Sequence, residues 1–139
     1  VGSLQEGIAE ILFTMASVLF SVDAGQDTQI YIRLALMLRP DFPVAQLLLA
    51  SVLEDEGKYA EAGDIYGAIS PESPLRGRAL LRKAFMIEKQ GKLEEALAML
   101  DAHAEDAPES YAPLVAKGDL LRGRDRCADS VQAYSQALE

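Results

Sequence analysis

The chain has 139 residues, half of them apolar, and carries 22 acidic against 13 basic residues for a formal net charge of −9. That much apolar material suffices for a sizeable core and excludes a disordered chain, while the acidic balance disfavours nucleic-acid binding, which needs positive charge on at least one face. Cys127 is the only cysteine, so no intramolecular disulfide can form, and the lack of asparagine excludes N-glycosylation.

In chain order, Ser3-Leu4-Gln5-Glu6 has the spacing of a capping box and predicts a first helix from about Leu4. Ile8, Ile11, Leu12, Phe13, Met15, Val18, Leu19, Phe20 and Val22 make that helix apolar nearly all round, with Glu10 its only charge between Ile8 and Val22. A helix of this kind is normally buried on every side. Either further repeats precede it in a longer parent chain, or its exposed side meets another copy. The apolar run Ile11 to Val22 has 12 residues, short of the roughly 20 that a membrane span requires, and no signal-peptide pattern is visible.

Beyond this helix the chain is punctuated at a fixed interval. Pro40, Pro74 and Pro108 stand 34 residues apart, and Gly57-Lys58 returns as Gly91-Lys92 at the same spacing, the mark of a repeat array. Counting from the third residue after each proline gives units of about 9–42, 43–76, 77–110 and 111–139 in a single domain, expected to be a fragment of a longer chain. Each reads as helix, turn, helix, turn. Leu49, Ala50 and Leu53 share one face of a first helix, and Ala62, Tyr66 and Ile69 one face of a second. The same places hold Ala84 and Ile87 with Ala96, Leu100 and His103, then Gly118 and Leu121 with Ser130, Tyr134 and Ala137, and in the first unit Met15, Ala16 and Leu19 with Thr28, Ile32 and Ala35. Small residues recur where two helices must approach and large ones where the gap needs filling. Gly57 and Gly91 are expected to take positive φ, Asp41 and Ser73 to act as N-caps, and Asp125 to replace the turn glycine and cap the last helix. Gly25 sits two residues late, which predicts an irregular first turn.

These residues resemble the tetratricopeptide repeat, a 34-residue helix-turn-helix unit, over nearly the whole chain from about Ala9 to Glu139. The match is specific in period and in Leu49-Ala50-Leu53, Ala62-Tyr66-Ile69 and Pro74; Thr28, Ile32, Lys83 and Lys117 depart from the usual pattern. More faintly, Tyr31 to Pro43 and Ser70 to Pro74 look like long bacterial tetratricopeptide proteins of the cell envelope, which implies a periplasmic or envelope location. The resemblance implies an all-α fold, a right-handed α-solenoid of antiparallel helix pairs, whose concave groove binds a peptide or protein segment, and it implies no catalysis and no cofactor. Projecting the helical period, the groove candidates are Phe13, Ser17 and Phe20, then Leu47, Ser51 and Glu54, then Arg78, Leu81, Arg82, Phe85 and Glu88, then Val115, Asp119 and Arg122. This mixed lining suits an amphipathic helix or an extended peptide. One sub-type of the family clamps a C-terminal carboxylate with basic and Asn residues; here only Arg78 and Arg82 match it, and they suit an acidic group.

His103 and Cys127 read as packing residues, because a lone imidazole and a lone thiol far apart in sequence build neither a metal site nor a triad. Glu54 to Glu56 lie near a helix C-terminus, where the dipole disfavours them, and stand as either a functional or a solvated set. Arg76, Arg78, Arg82 and Lys83 form the densest basic patch, to be met by Glu72 and Glu109 or by an acidic partner. With no glycine-rich phosphate loop, CxxC or HExxH present, an enzyme is not expected. The leading reading is a protein-binding scaffold; the alternative is an assembly module that self-associates through its apolar first helix pair.

Overall fold

The structure, a computed structural model, describes residues 3–22 and 25–138. Among these it forms eight helices and no strand: α1 (Leu4–Ser21), α2 (Gly25–Leu38), α3 (Pro43–Asp55), α4 (Tyr59–Gly67), α5 (Arg76–Lys89), α6 (Leu93–Asp106), α7 (Ala112–Gly123) and α8 (Cys127–Leu138). Alternate helices begin at Gly25, Tyr59, Leu93 and Cys127, so the 34-residue interval is kept by each of them. The chain divides into two compact units, Val1–Ala79 and Leu80–Glu139, with the boundary inside α5.

Local chemistry explains the ends. Ser3 closes α1 with the reciprocal capping box: its hydroxyl accepts from the Glu6 N–H at 3.1 Å, and the Glu6 carboxylate accepts from the Ser3 N–H at 3.2 Å. Three turns share one backbone pattern, in which Lys58, Lys92 and Arg126 donate back to the carbonyls of Leu53, Ile87 and Leu121. The residue before each donor takes positive φ: Gly57 at 78°, Gly91 at 83° and Asp125 at 60°. That is the helix-ending motif glycine favours, with aspartate the side chain that tolerates it next best.

Three expectations about the ends need correction. The N-cap of α3 is Phe42, with no side-chain bond, rather than Asp41; Pro43 at the first helical position needs no donor capped. Ser73 accepts from the Leu75 N–H at 3.1 Å and so shapes the turn ahead of α5, which itself starts at Arg76. Directly before α8 stands Arg126, so Asp125 serves the turn and not the cap. Gly25 opens α2, and the two residues ahead of it lie outside the described residues.

In the first unit α1 packs on α2, α2 on α3 and α3 on α4. Ala9 and Ala16 are buried with Thr28, Ile32 and Ala35, and Leu49, Ala50 and Leu53 with Ala62, Tyr66 and Ile69, the sets that the period places on facing sides. In the second unit Ala84, Ala96, Leu97, Leu100, Ala116, Leu120, Leu121 and Ala133 form one cluster, with Leu81 and Phe85 packed against it. Ser130 fills an alanine position and stays satisfied, its hydroxyl donating to the Gly118 carbonyl at 3.1 Å. Lys117, unusual at its position, pairs with Asp101 at 2.7 Å.

The first helix is not buried on every side. Its buried residues are Ala9 and Ala16, while Leu4, Ile8, Ile11, Met15, Val18 and Val22 are exposed. By length and composition alone α1 is long enough and just apolar enough to cross a membrane.

Candidate functional site

The first-helix residues fall into three rows at one-unit spacing. Phe13, Leu47, Leu81 and Val115 share a register position, and all four are half-buried. Ser17, Ser51, Phe85 and Asp119 form the second row, also half-buried. Phe20, Glu54, Glu88 and Arg122 form the third, at the end of each first helix, with Phe20 and Arg122 exposed.

Within the first unit, Phe13 packs on Phe42 with ring centroids 5.2 Å apart, and Arg39 lies over the other ring at 4.5 Å. The Ser17 hydroxyl is turned onto the Phe13 carbonyl at 3.0 Å. Glu54 accepts from the buried Tyr66 hydroxyl at 3.1 Å. Glu56 accepts from Gln29 at 2.6 Å and pairs with Lys58 at 2.9 Å; the Lys58 contact is the main cause that holds its carboxyl below the usual range. Glu54 and Glu56 therefore tie the end of α3 to α4 and to α2. Arg78 is exposed. Arg76, placed in the basic patch by sequence, donates instead to the carbonyls of Gly67 and Ile69 at 2.8 and 2.7 Å, tying off the end of α4.

In the second unit, Arg82 sits over Phe85 at 5.6 Å. Glu88 accepts from Arg124 at 2.6 Å and has 13% of its side chain exposed. Asp119 accepts from Tyr134 at 2.5 Å and from Arg122 at 3.5 Å; the bond to the carboxylate raises the Tyr134 pKa. These contacts use the charged ends of the rows and leave Leu81, Phe85 and Val115 as the part-open apolar members. A polar cleft of about 340 Å³ lies among α6, α7 and α8, walled by the pairs Lys117–Asp101 and Arg126–Glu94. Asp129 and Glu94 together hold the Arg126 guanidinium more firmly protonated.

Glu72 pairs with Ser70 at 2.5 Å rather than with the basic patch. Cys127 is exposed at the start of α8, which corrects its reading as a packing residue, and His103 is half-buried. Among the described residues no group of three or more His, Cys, Asp or Glu is placed to hold a metal ion.

A second surface lies outside the groove candidates. Met15, Val18 and Leu19 of α1 and Ile30 and Tyr31 of α2 line a cleft of about 500 Å³. The exposed stripe Leu4, Ile8, Ile11, Met15, Val18 and Val22 steps along α1 by four and three alternately, the spacing of a seam that receives another helix. That spacing is readable from sequence; the uniform apolar composition of the helix hides it, because Leu12, Phe13 and Leu19 blur the contrast between faces.

No family model matches the chain, and no curated protein matches it in sequence. Solved structures do match. A double mutant of MamA from strain RS-1 aligns over 98% of this chain and 75% of its own length, with a TM-score of 0.73 at 18% identity. A crystal structure of MamA aligns over 94% of this chain and 76% of its own, with a TM-score of 0.74 at 14% identity. MamA residues 41 to the end from Desulfovibrio magneticus RS-1 gives 0.73 at 18% identity over 94% and 73%. MamA is a tetratricopeptide-like helical-repeat protein, and the present chain has this all-α, solenoid-like repeat fold.

Proposed function

We propose that the chain is a protein-interaction scaffold of four tetratricopeptide units that takes a protein or peptide segment on its first-helix faces. The observation that carries the reading is the row Phe13, Leu47, Leu81 and Val115: four apolar side chains at one register position, each half-buried and part-open to solvent. Apolar surface repeated at a fixed interval suits an extended peptide or an amphipathic helix, while a net charge of −9 does not suit nucleic acid. A peptide-array screen with Leu47→Ser and Arg78→Glu tests it, with circular dichroism verifying that both variants stay helical. Loss of the wild-type peptide hits is expected; unchanged hits in both variants remove the groove reading.

The exposed seam on α1 favours a second role, assembly through the first helix pair. Light scattering on dilute protein decides it: a mass that rises with concentration is expected, and a strict monomer rules it out.

A further inference from the structure

We propose that the charged side chains between the helix pairs α5–α6 and α7–α8 form an ionic latch, which makes the seating of one pair on the other respond to salt. Among the described residues three ion pairs cross this joint: Glu88 with Arg124 at 2.6 Å, Glu94 with Arg126 at 2.8 Å and Asp101 with Lys117 at 2.7 Å. In all three the acid belongs to the earlier helix pair and the base to the later one. Their attractions therefore add across the joint, whereas a single surface pair contributes little. Asp129 on α8 draws on the same guanidinium as Glu94 and tempers that one link.

Dissolved ions reach the latch. The polar cleft of about 340 Å³ runs along this joint and is walled by Glu94, Asp101, Lys117 and Arg126. The Glu94 and Asp101 side chains are 80% and 49% exposed, so salt screens two of the three links, while Glu88, at 13%, is screened less. The α2–α3 joint of the first unit is built otherwise. Its direct link is neutral on one side, Gln29 donating to Glu56 at 2.6 Å, and Arg33 is the weakest of the influences on the Glu56 carboxyl. Both joints bury apolar side chains, Leu97 and Leu120 in the second unit and Ala45 and Val52 in the first; among the described residues only the α6–α7 joint adds ion pairs to them. Leu81 on α5 and Val115 on α7 stand on opposite sides of the latched joint, so its seating sets the spacing between these two members of the apolar row. The latch goes beyond the scaffold reading and stands without it.

Amide hydrogen exchange on the whole 139-residue chain, compared between about 0.01 M and about 1 M sodium chloride at fixed pH, tests this, since the screening length falls from about 30 Å to about 3 Å over that range. A helix of 12 residues such as α7 is marginal once undocked, so opening of the joint exposes its amides. Amides of α7 should exchange about fivefold faster in high salt, from the loss of two partly exposed links. Amides of α3 should stay unchanged or slow down, because salt also screens the self-repulsion of a chain with net charge −9. The two effects have opposite sign, which makes α3 the internal control. Lys117→Glu turns one attraction into a repulsion and should leave α7 without its salt response, and Asp101→Lys combined with Lys117→Glu should restore it. Exchange in α7 that does not quicken in high salt, or that shifts together with α3, overturns the latch. So does a Lys117→Glu chain that keeps the full response, or a double variant that stays unresponsive.

Discussion

The α3–α4 and α7–α8 pairs solve the same packing problem differently. In the first, Ala50 faces Tyr66, whose ring is 2% exposed and whose hydroxyl reaches Glu54, one turn further along α3. In the second, Gly118 takes the alanine position and Tyr134 lies directly over its backbone: a Cβ there would stand 2.5 Å from the tyrosine ring. With the ring in that place its hydroxyl reaches Asp119, the next residue, and not the end of the helix. One methyl group thus decides where a tyrosine points, and with it which carboxylate is used up.

The largest test of this contrast is Tyr66→Ala. Emptying so buried a site should cost about 3–5 kcal/mol, the range for large aromatic truncations, and Tyr134→Ala, half-buried, should cost clearly less; urea denaturation of both reads the difference. Gly118→Ala comes next. Overpacking against Tyr134 costs about 1–3 kcal/mol and alanine returns about 1 kcal/mol of helix propensity, so a small net loss is expected. In a Tyr134→Ala background the same change should become stabilising by about 1 kcal/mol. If the sign does not reverse, the ring does not depend on the missing Cβ.

A third test concerns Gln46 on α3, which occupies the register position of Leu114 on α7 and buries a side-chain oxygen with no protein partner. Gln46→Leu should raise stability by about 1 kcal/mol, read as a higher urea midpoint at unchanged slope. The smallest effect is on pH dependence. The Asp119 carboxylate raises the Tyr134 pKa, so the folded state favours the neutral phenol. Its stabilisation is complete below the usual tyrosine value of about 10 and is lost as pH rises through the raised one. Tyr134→Phe should remove that alkaline decline from the melting temperature, and a decline that persists assigns it to other groups.

Much of the fold was legible because its causes are local. Positive φ at Gly57 and Gly91 and small residues at Ala16, Ala50, Ala84 and Gly118 follow from sterics that act within a turn or across one close approach. The site was legible as register rows but not as chemistry. Glu88 is held by Arg124, 36 residues on, and Glu94 by Arg126, 32 residues on, and no local pattern announces such pairs. Arg76 reads as part of a basic patch until the end of α4 is seen to need its two bonds.

By itself the sequence determined the period, the eight helices and the positions where they touch, since helical periodicity and backbone sterics require nothing beyond neighbouring residues. Only the tertiary structure decided which charged groups are already spent on one another and which apolar face of α1 stays open. Both depend on what arrives from a distant part of the chain to cover a surface, and burial is a property of that meeting rather than of either partner.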